Sequence, residues 1–227
     1  MTARTKLAAL DGSGSFSAYE SGTGSAGIVV IQEIFGINAG IRAMVDSWAA
    51  AGYHAIAPDL FWRQQAGVEL DADVPEDLQC AFGLFEKFDG TKAVADIETA
   101  IKLLRSKGCS KVGVIGYCLG GYLAYLSATR TDSDASIGYY GVSIDTKLDE
   151  CHAIGKPLML HIATADAFVP PAAQAAVHAA LDSNRHVTIH DYAADHAFAR
   201  HSGSSRVPAL AEVADARSRA FFEAHLR

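Results

Sequence analysis

The chain has 227 residues, half of them hydrophobic, 20% of them charged, and a formal net charge of -7. That length suits one domain large enough to bury a substantial core. With no Lys/Arg-rich stretch, a nucleic-acid footprint is not expected. No apolar run approaches the roughly 20 residues of a membrane helix, and the opening MTARTKLAALDGSGSF lacks the apolar region of a signal peptide. A cytoplasmic protein acting as a monomer, with no nucleic-acid or membrane partner, is expected.

In chain order, alternation around Asp11-Gly12 predicts a hairpin. GIVVIQE (27–33) is a β-branched run suited to a strand buried on both faces. A helix follows over 39–51, stopped by Gly52, and HAIAPDL (54–60) reads as the next strand. Residues 74–107 read as helix broken around Phe88-Asp89-Gly90. KVGVIG (111–116) is a third buried strand, and LGGYLAYLSATR (119–130) the helix after it. SIGYYG (136–141) and KPLMLHIATAD (156–166) are further strands. Pro170 to Leu181 reads as helix, HVTIHDY (186–192) as the last strand, and 208–226 as a closing helix.

Strands alternating with helices of this length mean βαβ units: an α/β fold, with a mostly parallel central sheet and helices on both faces. Nothing in the composition divides the chain, so a single domain over 1–227 is expected. In such sheets ligands are held beyond the carboxyl ends of strands. Glu33, Cys118, Asp166 and His196 all fall at such ends.

The pentapeptide Gly116-Tyr117-Cys118-Leu119-Gly120 has the G-x-C-x-G form of a nucleophile elbow, with cysteine where serine is usual. Such a turn aims the side chain into the cleft and leaves the next backbone N–H, that of Leu119, available to an oxyanion. The following helix adds positive potential at its start. A second oxyanion donor is expected from the Ile34 N–H. Hydrolases built this way run nucleophile, acid, histidine along the chain, and Cys118, Asp166 and His196 come in that order. Imidazole deprotonates the thiol, and the carboxylate fixes the imidazole tautomer.

Other roles stand beside these. Asp166 could be only a helix N-cap near Pro170, and Asp195 beside His196 could be the acid. His186, His190 and His196 could be imagined as metal ligands, but their spacing matches no recognised metal pattern. No metal or cofactor is expected. Cys80, Cys109 and Cys151 read as small buried hydrophobes. A redox protein with a cysteine elbow would carry His after the cysteine, where this chain has Leu119. A nucleotide-binding module lacks both glycine-rich signatures. A catalytically silent binding protein would have lost a triad member, and none is lost.

Six segments, QEIFGIN (32–38), APDLF (57–61), GYCLGG (116–121), YYGV (139–142), D-x-F-V-P (166–170) and H-x-F-A-R (196–200), resemble the dienelactone hydrolase (carboxymethylenebutenolidase) family in order and in register. The resemblance implies an α/β-hydrolase fold and a Cys118-His196-Asp166 triad. It further implies a Glu33 that gates the thiol, holding it neutral until substrate arrives. A thiol that ionises only then is less exposed to oxidation. Arg200 would anchor a substrate carboxylate through its guanidinium fork; its plainer reading is a surface salt bridge. Phe35, Phe82, Phe85 and Tyr140 would line the pocket. The implied reaction opens dienelactone to maleylacetate, in aromatic or chloroaromatic degradation, with a small anionic lactone as the molecule bound. The alternative is a carboxylesterase or thioesterase acting on other small activated esters. Leu78 stands where a second carboxylate-binding arginine is expected, no arginine lies between Arg63 and Arg105, and Arg42 or Arg63 are the possible substitutes.

Overall fold

The computed structural model describes residues 2–227, which fall into two compact units, 1–112 and 113–227. In the first, β1 (Thr2–Ala8) and β2 (Ser15–Ser21) form the expected antiparallel hairpin, with Leu7 opposite Phe16 and Ala8 opposite Ser15. The turn is tied by Ala9 N donating to Gly14 O at 2.9 Å and by the Asp11 carboxylate accepting from Ser13 N at 3.0 Å. β2 runs antiparallel to β4 (His54–Pro58), which pairs in parallel with β3 (Ala26–Ile31). All six residues of β3 are buried, as its unbroken apolar run requires for a strand covered on both faces.

β3 stops at Ile31, two residues before the expected end. Gln32 leaves the ladder and turns its buried amide to local partners: its Nε2 donates to Glu33 O and its Oε1 accepts from Leu60 N. Helix α1 (Ala39–Ala50) is capped by Asn38, whose side chain accepts from Ile41 N. The long helical region divides as expected, into α2 (Pro75–Glu86) and α3 (Gly90–Ser106). Asp89 caps α3 by accepting from Thr91 N and Lys92 N.

β5 (Lys111–Tyr117), which belongs to the second unit from Gly113 on, β6 (Ala135–Tyr139), β7 (Leu158–Ala163) and β8 (Val187–Tyr192) run parallel and adjacent in that order. Helices α4 (Leu119–Arg130), α5 (Pro171–Leu181) and α6 (Pro208–Leu226) connect or follow them. Two neighbouring residues of β6 show which faces are covered. Gly138 meets α4: a Cβ there would lie 2.8 Å from Gly121 O. Tyr139 points the other way and bonds Ser218 of α6 at 2.6 Å. Successive strand residues face opposite sides, so α4 and α6 cover opposite faces of these strands.

A 3₁₀ segment over Ile144–Ala153, kinked at Lys147, was not expected. Its residues IDTKLDECHA follow no helical period, and tight turns of this kind leave no such trace. SIGYYG also ends early as a strand, because Tyr140 turns into the left-handed region at φ 36°. Among the described residues no helix is long and apolar enough to cross a membrane.

Candidate active site

The elbow is built by glycine contact. A Cβ on Gly116 would stand 2.0 Å from Gly120 O, so the strand end and helix start can approach this closely only without a side chain at 116. Cys118, between them, has φ 55° and ψ -115°, a conformation few side-chain-bearing residues adopt. Neighbouring bonds hold it there: Cys118 N donates to Tyr139 O at 3.0 Å, and Cys118 O accepts from Gly121 N at 2.9 Å and Tyr122 N at 3.2 Å. Leu119, the first residue of α4, is buried, and its N–H has no intrahelical carbonyl to bond.

Asp166 sits in the turn after β7, buried to 4% exposure. Both its oxygens are committed. Oδ1 accepts from Phe168 N at 2.8 Å, and Oδ2 meets His196 Nδ1 at 2.6 Å. Helix α5 begins instead with Pro170 as its N-cap, so the alternative reading of Asp166 as that helix's cap is incorrect. The Asp195 carboxylate instead accepts from the backbone N of His196 at 2.7 Å.

His196 is largely buried, with Tyr140 edge-on at 5.1 Å and Phe168 at 4.9 Å. The next residue, Ala197, is left-handed at φ 62°. Burial pulls the imidazole toward its neutral form, but its hydrogen bonds to Asp166 and to the Cys118 side chain outweigh it. The result is a pKa pushed up to about 10. An imidazolium stabilised this way is suited to stand beside a thiolate and to give a proton back to a leaving group.

The structure thus brings Cys118, His196 and Asp166 together within residues 113–227, with Tyr140 against the imidazole. Arg200 lies four residues beyond His196 in the same loop and is partly exposed. Phe168 is the neighbour that reading by motif passed over: it lies inside the D-x-F-V-P segment, yet only the fold reveals its ring on His196. His190 packs instead on His161 at 5.8 Å, and His186 accepts from Arg185 Nε at 3.2 Å.

The remaining expected residues belong to the first unit. Glu33, Ile34 and Phe35 are buried at 5%, 7% and 3% exposure, and the Phe35 carbonyl is braced by Leu70 N at 2.9 Å. Phe82 and Phe85 expose their rings on α2, the helix that also carries Leu78. Arg42 is held by Glu69 at 2.6 Å and by Ile37 O at 2.7 Å. Arg63 bonds the buried Asp96, meets Asp11 at 3.0 Å and lies over the Trp62 ring. Both arginines are therefore engaged by carboxylates of the chain itself.

Residues 16–226 match the model of the dienelactone hydrolase family. The chain belongs to this family. It is 42% identical over 210 residues to carboxymethylenebutenolidase 1 of Cupriavidus pinatubonensis (strain JMP 134 / LMG 1197), with 90% of each chain covered. To the carboxymethylenebutenolidase of Pseudomonas putida it is 38% identical over 193 residues, covering 84% of this chain and 82% of the relative. A crystal structure from Klebsiella pneumoniae subsp. pneumoniae MGH 78578, provisionally described as a dienelactone hydrolase, matches with a TM-score of 0.84 at 25% identity over 98% of both chains. An esterase of Pyrococcus furiosus shares the fold alone, at a TM-score of 0.76 and 13% identity, over 100% of this chain and 93% of that one. The expected α/β-hydrolase fold is therefore the fold of this dienelactone hydrolase family member, and the protein is a hydrolase.

Proposed function

We propose that this family member opens dienelactone (4-carboxymethylenebut-2-en-4-olide) to maleylacetate through a Cys118 acyl-enzyme. The observation that carries the reading is the strained Cys118 at the start of α4, hydrogen-bonded to a His196 whose far nitrogen is held at 2.6 Å by Asp166. The Cys118 thiolate attacks the ring carbonyl carbon, and the Leu119 and Ile34 N–H groups take the oxyanion. Collapse breaks the ring C–O bond, and the oxygen departs as an enolate that takes the proton held by His196 to become the ketone of the product, leaving the imidazole neutral. Water, deprotonated by His196, then cleaves the thioester and returns the thiol. Every step uses groups of the chain.

A thiolate is itself a good leaving group, so its tetrahedral adduct tends to expel sulfur unless the other group leaves at least as well. An enol lactone meets that condition and an alkyl ester does not, which accounts for cysteine at the elbow. Arg200 anchors the substrate carboxylate; Phe35, Phe82, Phe85 and Tyr140 line its pocket. The resemblance of QEIFGIN supports a gating role for Glu33, which keeps the thiol neutral until an anion binds. We place the enzyme as a cytoplasmic monomer in aromatic or chloroaromatic degradation.

A second reading, a broader esterase for small activated esters, is favoured by one observation: where the resemblance leads one to expect a second arginine the chain has Leu78, and Arg42 and Arg63 are already engaged. Ultraviolet absorbance of cis- and trans-dienelactone, followed with the parent protein and with Cys118→Ala, separates the two. Turnover by the parent and none by the variant is the expected result. Failure of the parent on both isomers, with activity on p-nitrophenyl acetate, would remove the lactonase and leave the esterase.

A further inference from the structure

The loop after His196 is closed by a second arginine. Val207 N donates to Phe198 O at 2.8 Å, so residues 198–207 leave and return to nearly the same point. Across the neck of this loop lies Arg206, half-buried. Its Nη1 donates to Arg200 O at 3.0 Å and to Ala199 O at 3.2 Å. Its Nη2 stands 3.6 Å from Asp215 Oδ2 on α6. Asp215 is in turn fixed from β6, where Tyr139 OH donates to its Oδ1 at 3.2 Å and also bonds Ser218 at 2.6 Å.

A planar guanidinium suits this place because its donors spread in a fixed fork, two to neighbouring carbonyls and one to a carboxylate. It therefore ties the backbone of Arg200 to the rigid pairing of β6 with α6. His196 does not depend on it. The imidazole is located by Asp166, Tyr140 and Phe168, and the segment just after it by Phe198, fully buried and stacked on Tyr192 at 4.7 Å.

We infer that Arg206 is a positioning residue for Arg200: it sets where the carboxylate-binding guanidinium is held, and so tunes affinity for anionic substrates without touching the acyl-transfer groups. This rests on the reading of Arg200 as the substrate anchor. The test compares two probe esters, neutral p-nitrophenyl acetate and anionic p-nitrophenyl hemisuccinate, with the parent and with Arg200→Ala, Arg206→Ala and Arg206→Lys.

Arg206→Ala is expected to raise KM for the hemisuccinate about tenfold, the effect of slackening a charge-assisted anchor. kcat and KM for the acetate should stay within about twofold of the parent. Arg206→Lys, able to keep one of the carbonyl bonds, should recover part of the loss. A merely structural role would lower the melting temperature and slow both esters alike, and that pattern overturns the inference. So does an unchanged hemisuccinate KM in Arg206→Ala when Arg200→Ala raises it. If Arg200→Ala fails to distinguish the two esters, the anchor reading falls first and the inference with it. Should Arg206→Ala not fold, Asp215→Asn loosens the guanidinium without removing it, and a roughly threefold rise confined to the hemisuccinate is expected.

Discussion

Replacing Asp166 by asparagine alters one atom in a site where both carboxylate oxygens are occupied. Oδ1 accepts from Phe168 N at 2.8 Å and Oδ2 from His196 Nδ1 at 2.6 Å. Asparagine has one acceptor and one donor. If its amide NH₂ faces Phe168 N, two donors meet and a buried N–H is left unsatisfied, at a cost of about 1–3 kcal/mol. The favoured arrangement keeps the carbonyl on Phe168 and turns the NH₂ toward His196. Nδ1 must then accept, which moves the ring proton to Nε2, the nitrogen that should receive the Cys118 proton. An imidazole in that tautomer cannot act as the base, and on the proposed reading kcat falls about 10⁴-fold, as for other triads with this change. That corresponds to about 5 kcal/mol of barrier.

The same substitution removes one of the two hydrogen bonds that hold the His196 pKa near 10, so that pKa should fall. Alkylation of Cys118 by iodoacetamide reports this independently of turnover. Because Cys80 is exposed on α2, not buried as expected, and would also react, the modification is read on the Cys118 peptide by mass spectrometry. The expected outcome is a large loss of kcat on p-nitrophenyl acetate, with slower Cys118 alkylation at neutral pH. A variant that keeps more than about a tenth of kcat, or the parent's alkylation profile, would refute the tautomer argument.

Two further outcomes follow from particular contacts. His161 is buried between Tyr192 OH at 2.8 Å and Ser218 Oγ at 3.0 Å, and burial, with His190 and Arg217 nearby, holds its pKa well below 6.5. Above about pH 6.5 folded and unfolded forms are both neutral there; below it only the unfolded chain takes up the proton. Stability should therefore fall as pH drops from 6.5 toward 5, and His161→Phe should flatten that slope in urea titrations at a cost to stability at pH 7; an unchanged slope would assign it to other groups. Gly116→Ala sets a methyl 2.0 Å from Gly120 O, backbone against backbone, so the elbow must shift. We expect about 1–3 kcal/mol of destabilisation and a collapse of kcat larger than the change in melting temperature explains; full activity would show that the elbow tolerates the shift.

Much of this fold could be read from periodicity, because its strands are continuous apolar runs bounded by turn residues. KVGVIG and LGGYLAYLSATR became β5 and α4 almost to the residue. Errors fell where side-chain hydrogen bonds compete with the ladder. Gln32 ends β3 early by bonding Leu60 N and Glu33 O, and no pattern in GIVVIQE reveals those partners. The convergence of Cys118, Asp166 and His196 was legible for a topological reason: each follows a parallel strand, and parallel strands end on one side. Asp166 was the ambiguous member, since an aspartate shortly before a proline-started helix can also be read as its cap. The structure gives that cap to Pro170 and turns both Asp166 oxygens elsewhere.

Arg206 illustrates the opposite limit. In ARHSGSSRVP it looks like one more charge in a polar loop, and nothing in the spacing ties it to Asp215 or to the carbonyls of Ala199 and Arg200. The triad residues announce themselves because chemistry demands those residue types in that order. Arg206 is dictated only by where a loop closes, and closure depends on Phe198 packing on Tyr192 and on α6 lying against Tyr139. On the proposed reading, nucleophile, base and acid are thus encoded locally, by motif, whereas the placement of the proposed anion anchor is encoded by the tertiary packing of β6 and α6. A relative could therefore keep every motif residue and still differ in its preference for charged substrates, through changes in the helix that closes the chain.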